Sequence, residues 1–147
     1  IAGDNGFVRT VRDWARLISA NNDTAYVYYF SRPVPVFRLY MPSMPDLSGD
    51  GGARSLGAYH SGELAYVFDN LSTVGIGWAS DDHLLSATIA DYWFNFAKSG
   101  NPNAPDLPYW PAYEPTKDEV QVLDAEVRNA VHPRSAHMDR IAALATQ

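Results

Sequence analysis

The stretch Gly57-Ala58-Tyr59-His60-Ser61-Gly62-Glu63-Leu64-Ala65-Tyr66-Val67-Phe68 organises the reading of this chain. It opens on a glycine turn, presents one histidine, and runs into a short apolar segment that ends in aromatics. A histidine on a loop, followed by a packed helical turn, can be held in one orientation while its ring faces a cleft. An isolated histidine in a glycine-rich loop is more often exposed or structural than reactive, so the wider sequence has to decide.

Two later phrases bear on that decision. One is Ser86-Ala87-Thr88-Ile89-Ala90-Asp91-Tyr92-Trp93-Phe94-Asn95-Phe96-Ala97-Lys98-Ser99-Gly100-Asn101-Pro102-Asn103, and the other is Leu107-Pro108-Tyr109-Trp110-Pro111-Ala112-Tyr113. Together with the pattern Gly-x-x-His-x-x-Glu-Leu-x-Tyr-Val-Phe, they make three ordered matches across most of residues 57–113. This chain resembles the type B carboxylesterases, the cholinesterase-like branch of the α/β-hydrolases. The resemblance implies an α/β fold, of which the chain would be the C-terminal part: a helix, a central strand, a long loop carrying the histidine, helices, a short edge strand and a terminal helix. It implies that His60 is the general base, and later the general acid, of a serine esterase, with Glu63 a supporting residue near it. It further implies a small-molecule ester substrate and no cofactor.

A serine esterase needs a hydroxyl nucleophile, an imidazole to take its proton, a carboxylate to orient that imidazole, and donors for the oxyanion. The order in α/β-hydrolases is Ser, then Asp or Glu, then His. Here no Gly-x-Ser-x-Gly elbow occurs and no His-Gly-Gly-Gly motif. Ser61 adjoins His60 but lies in no strand-turn-helix elbow, so it is not assigned as the nucleophile. The resemblance therefore implies that nucleophile, triad acid and oxyanion loop come before Ile1. On this reading residues 1–147 are a segment of a larger domain rather than a complete one, and their partner is the N-terminal part of the same protein. The start Ile1-Ala2-Gly3-Asp4, with no initiator methionine and no charged leader, fits that expectation. Two other readings stand beside it: a cholinesterase-like binding or adhesion domain without chemistry, and an independent small domain of unrelated function.

Composition narrows the classes. The 147 residues are 46% apolar and 19% charged, enough for a real core. A net charge of −6 with no basic stripe argues against nucleic acid as a ligand. The absence of cysteine excludes disulfides and thiolate metal sites and leaves the compartment unread. No apolar run reaches the roughly 20 residues of a membrane helix. A metal at His60 with Glu63, or at His132 with His137, would lack a third ligand at a recognisable spacing.

Along the chain, Asp4 or Asn5 is placed to cap a helix. Phe7, Val8, Val11, Trp14, Ala15 and Ile18 recur at helical spacing, with Arg9, Arg12, Asp13 and Arg16 opposite, which predicts an amphipathic helix to about Ala20. After the break at Asn21-Asn22-Asp23, the run Ala25–Phe30 predicts a strand buried on both faces of a mostly parallel sheet. Residues 31–55 are proline- and glycine-rich and deliver the chain to His60; the glycines of 48–52 lack the strand-to-helix setting of a phosphate loop. Asp69-Asn70-Leu71 reads as a turn and the Gly75 to Gly77 stretch as a loop. Asp81 or Asp82 is placed to cap the next helix, whose inner face takes Leu85, Thr88 or Ile89, Tyr92 or Trp93, and Phe96, and whose stop is Gly100. His83 reads as an exposed residue at that helix start. Asn101 to Pro115 is a proline-aromatic loop, Val120–Leu123 an edge strand, and Ala136–Ala145 a terminal helix with Met138, Ile141, Ala142 and Ala145 inward. Tyr59, Phe37 and Trp78 could line a pocket but suit packing better.

Overall fold

A computed structural model describes residues 7–35, 57–73 and 77–145. In chain order the elements are α1 (Arg9–Ala20), β1 (Tyr28–Phe30), α2 (Leu64–Val67), α3 (Ser80–Ser99), β2 (Glu119–Leu123), β3 (Arg128–Val131) and α4 (Ser135–Ala145), with a 3-10 turn at Leu71–Thr73. The strands form one sheet in the order β1-β2-β3. β2 and β3 are antiparallel, with Val120 opposite Ala130 and Gln121 opposite Asn129. The chain separates into two compact units, one of Ile1–Tyr29, Tyr109–Val122 and Arg128–Gln147, the other of Phe30–Pro108 and Leu123–Val127.

In the first unit, α1 ends at Ala20 as expected, because Asn21 and Asn22 leave the helical region and Asn22 takes a left-handed φ of 61°. Within this chain the polar side of α1 packs inward: Arg12 and Ala15 are buried, whereas Phe7, Trp14 and Leu17 are 66%, 65% and 62% exposed. Arg12 faces inward to a buried carboxylate: Nε donates to Asp118 Oδ1 at 3.0 Å, and its second nitrogen lies 2.7 Å from Oδ2. The same guanidinium reaches Asp139 Oδ1 at 2.6 Å and Ser135 Oγ at 3.0 Å on α4. Tyr113 donates its hydroxyl to Asp118 Oδ1 at 2.7 Å, and Ser135 donates to Oδ2. Burial opposes the charge on Asp118, but the donors from Arg12, Ser135 and Tyr113 outweigh it and hold its pKa below the usual carboxylate range. Burial likewise works against the Arg12 charge, and its bonds to Asp118 and Asp139 more than restore it.

Around this cluster Ala15, Ala25, Val27, Tyr113, Val120 and Val122 form a buried apolar core with Tyr29 and Ala130 packed against it. Only the last half of the apolar run 25–30 is a strand, since Tyr28, Tyr29 and Phe30 are half-buried and Ala25 and Val27 bond as irregular chain: Tyr113 N–H donates to Ala25 O and Gln121 N–H to Val27 O. The stretch Val120–Leu123 lies in a strand buried along most of its length and flanked on both sides, not at an edge. Its outer neighbour β3 was unforeseen. Arg128-Asn129-Ala130-Val131 has no apolar alternation because three of its four residues are exposed. In α4 Met138 is buried as expected, Ile141 half-buried, and Ala142 exposed, contrary to expectation. His132 is buried, its ring 5.5 Å from Tyr29, and its Nδ1 accepts the Arg134 N–H at 3.1 Å. Burial, the largest influence, lowers its pKa.

In the second unit α3 follows the sequence more closely. Leu85, Ile89 and Tyr92 are buried, Trp93 is half-buried, and Phe96 is exposed rather than inward. Gly100 stops the helix at φ 74° and donates its N–H to Phe96 O, a geometry that costs an L side chain energy. Tyr92 hydroxyl donates to Pro108 O in the proline-aromatic loop. The expected capping residues Asp4 and Asn5, the glycine run 48–52, Phe37, Gly75 and the side chain of Ala145 lie outside the described residues.

Candidate active-site histidine and its support

The segment around His60 is a compact turn built from backbone bonds. Gly57 sits at φ 67° and its carbonyl accepts the Val34 N–H at 3.3 Å. His60 follows on the turn and is exposed. Gly62 N–H then donates to Tyr59 O at 3.0 Å, and Leu64 N–H to Ser61 O at 3.3 Å. Tyr66 and Val67 both donate to Glu63 O, which starts α2. The turn therefore leads directly into a helix, the setting expected of a histidine held by a packed helical turn. Ser61, next to His60, has a φ of 68°. A non-glycine residue there costs roughly 1–2 kcal/mol and persists only when its surroundings impose it.

The next residue, Gly62, has little room for a side chain. A Cβ built on Gly62 would lie 3.0 Å from Tyr59 O and 3.0 Å from Val34 Cγ2, closer than ordinary contact. The residue is buried, so the backbone of the turn lies directly against Val34. Tyr59 is at the margin of exposure, and Glu63 is half-buried at the foot of α2.

Behind the turn is a cluster that sequence reasoning did not find. Asp82 is fully buried, and its Oδ1 accepts from Arg32 Nε at 2.8 Å and from the Tyr66 hydroxyl at 2.9 Å. Its Oδ2 accepts the backbone N–H of Ala79 at 2.8 Å. Asp82 thus serves the start of α3 from the third helical position, while the residue at the N-cap is Ala79; this sharpens the expectation that Asp81 or Asp82 would cap. Burial disfavours the Arg32 charge, yet the bond to Asp82 raises its pKa overall. Tyr66 is also gripped at its backbone, where its carbonyl accepts from Ser86 Oγ at 3.2 Å; that hydroxyl donates to Asp69 Oδ1 at 2.9 Å as well. The Tyr66 ring packs edge-on against Phe30 and Trp78, with centroids 5.3 and 5.5 Å away. Trp78, considered for a pocket wall, packs here and donates Nε1 to Leu71 O at 2.7 Å. His83 is exposed in the first turn of α3, as the sequence suggested. The signal that could have revealed the cluster was weak: an aspartate at a helix start reads as a cap, and Arg32 stands in a proline-rich run without periodicity.

Among the described residues no three of His, Asp and Glu converge as a metal-holding group. Nor is any helix there long and apolar enough to cross a membrane.

Comparison with known proteins gives the family and the fold. The model of the Carboxylesterase family matches residues 1–141, and the chain belongs to that family. It is 33% identical over 107 residues to an acylcarnitine hydrolase of Mus musculus, a match covering 72% of this chain and 17% of that protein. It is 36% identical over 85 residues to carboxylesterase 4A of Bos taurus, covering 58% and 15%. Among solved structures, a Geobacillus stearothermophilus carboxylesterase superimposes with a TM-score of 0.70 at 24% identity, over 96% of this chain and 26% of that one. An esterase from Clostridium hathewayi superimposes with a TM-score of 0.69 at 16% identity, over 88% and 23%. The fold is therefore part of an α/β-hydrolase, and the chain spans about a sixth of the length of the curated relatives it matches.

Proposed function

We propose that this chain is the C-terminal segment of a carboxylic-ester hydrolase and supplies the general base of its Ser-His-Glu/Asp triad through His60. The observation that carries the reading is the His60 turn itself. An exposed imidazole is mounted on a backbone-bonded turn that runs straight into a helix, within a chain of the carboxylesterase family. In such an enzyme the imidazole takes the nucleophile's proton as the serine oxygen attacks the ester carbonyl, then gives it to the departing alcohol. Water attacks the acyl-enzyme with the same histidine as base. Glu63, half-buried three residues on, supports the turn rather than acting as triad acid.

On this reading the nucleophile, the acid and the oxyanion donors are encoded upstream, and residues 1–147 are not a complete domain. The exposure of Phe7, Val11, Trp14 and Leu17 on one side of α1 supports that, because so much apolar surface is costly to leave in water. The isolated 147 residues are expected to hydrolyse no ester. In the longer enzyme, His60→Ala is expected to lower kcat/KM for a simple aryl ester by roughly 10⁴-fold, the scale at which loss of a triad member acts. Unchanged turnover in that variant would refute the assignment.

A further inference from the structure

Two legs of chain meet at the His60 turn, and one carboxylate reaches both. One leg is the stretch after β1 that holds Arg32 and Val34 and packs against the turn from more than 20 residues earlier in the chain; Val34 gives its N–H to Gly57 O and lies against Gly62. The outgoing leg is α2, whose Tyr66 follows His60 by less than two helical turns. Asp82 Oδ1 accepts from Arg32 at 2.8 Å and from Tyr66 at 2.9 Å, and Ser86, four residues further along α3, takes the Tyr66 carbonyl. Asp82 itself is rigidly set, since its other oxygen is bound to the Ala79 N–H at the start of a 20-residue helix. The turn holds Ser61 in a left-handed conformation, which a non-glycine residue keeps only where its surroundings impose it.

We infer that Asp82, through Tyr66 and Arg32, is a positioning residue for His60: it clamps the two legs of the turn to α3 and so fixes where the imidazole stands. This inference rests on the reading of His60 as general base. Asp82 does not touch the reacting atoms. Its effect is on geometry, and a misplacement of about 1 Å in a catalytic group costs on the order of 100-fold in rate.

The test uses the longer enzyme that carries this segment, with the variants Asp82→Asn, Asp82→Glu, Tyr66→Phe and His60→Ala. Active sites are counted by stoichiometric labelling with a fluorophosphonate, so that kcat is expressed per competent site, and thermal unfolding is followed in parallel. Tyr66→Phe keeps the ring against Phe30 and Trp78 and removes only the hydroxyl, so it remains informative if Asp82→Asn does not fold. The expected result is that Tyr66→Phe and Asp82→Asn lower kcat per labelled site by about 5- to 50-fold, with KM changed by less than about 2-fold. Asp82→Glu, which restores the charge, should recover most of that loss. A lower melting temperature with unchanged kcat per site in Tyr66→Phe would overturn the inference, because a purely structural role reduces the number of sites and not their turnover. If His60→Ala is as active as the parent, the reading of His60 fails first; if His60→Ala is inactive while Tyr66→Phe turns over normally, only the positioning role of Asp82 fails.

Discussion

Asp118 and Asp82 are both buried carboxylates paired with an arginine, yet they sit in different units and are built for different ends. Asp118 draws together parts of the chain that are remote in sequence: Arg12 from α1, Tyr113 from the loop before β2, and Ser135 from α4. Asp82 gathers a helix start, the strand-end residue Arg32 and Tyr66 beside the histidine turn. The first resembles a rivet holding α1 and α4 to the chain between them. The second is attached to the segment that carries His60, the proposed general base. The comparison teaches that the same interaction, a desolvated carboxylate with a guanidinium and a tyrosine hydroxyl, joins elements remote in sequence in one setting and in the other ties the start of α3 to the stretch that follows the His60 turn.

The contrast can be broken most severely at Arg12. Replacing Arg12 by Leu leaves Asp118 buried without its cation, which is expected to cost about 3–5 kcal/mol of stability, read by urea unfolding of the protein. Arg32→Met should cost less, because Arg32 meets Asp82 through Nε, whereas Arg12 meets both oxygens of Asp118 with two nitrogens. Equal losses at the two sites would erase the distinction between them.

A second expected effect comes with pH. Asp118 and His132 both have pKa values below those of the unfolded chain, so in each case the unfolded state binds the proton more readily. The stabilisation from neutral, buried His132 is complete above the unfolded histidine value of about 6.5 and fades as pH falls through its lower folded value. That from Asp118 is complete above about 4 and fades as pH falls further. His132→Asn, which keeps an acceptor for the Arg134 N–H but cannot titrate, should flatten the stability curve just below about pH 6.5 and leave the fall below about pH 4 in place. A curve that keeps its slope just below about pH 6.5 in this variant would show that the region is governed elsewhere.

The smallest effect is predicted where the Arg12 network reaches the surface. Asp139 is 60% exposed in its side chain, so its 2.6 Å bond to Arg12 competes with water and salt. Asp139→Asn should cost no more than about 0.5 kcal/mol in unfolding measurements. A loss comparable to that of Arg12→Leu would mean that the cluster is shared evenly among its carboxylates.

Part of the candidate site was legible before the fold. The histidine, the glutamate and the helical turn after them stand together in twelve consecutive residues, and the structure places them on one turn leading into α2. The extents of α1 and α3 and the stop at Gly100 were legible for a related reason: caps, breakers and periodicity are local properties. The buried half of the site was not. Arg32, Tyr66 and Asp82 are scattered over 50 residues, and nothing local distinguishes a helix-start aspartate that faces water from one that accepts a guanidinium in the interior.

What the sequence determined by itself is therefore the list of elements, where they stop, and the position of the imidazole, because these depend on neighbours a few residues apart. Which side of a helix turns inward, and which strand lies in the middle, belonged to the tertiary structure. In α1 the spacing of Phe7, Val11 and Trp14 marks one apolar side, but the residue that packs inward within this chain is Arg12, bonded to Asp118, 106 residues away. Val120 to Leu123 became central because a neighbouring segment with no strand pattern of its own supplied the missing hydrogen bonds. Long-range pairing of buried polar groups is chosen by the whole fold, and no window of sequence contains both partners.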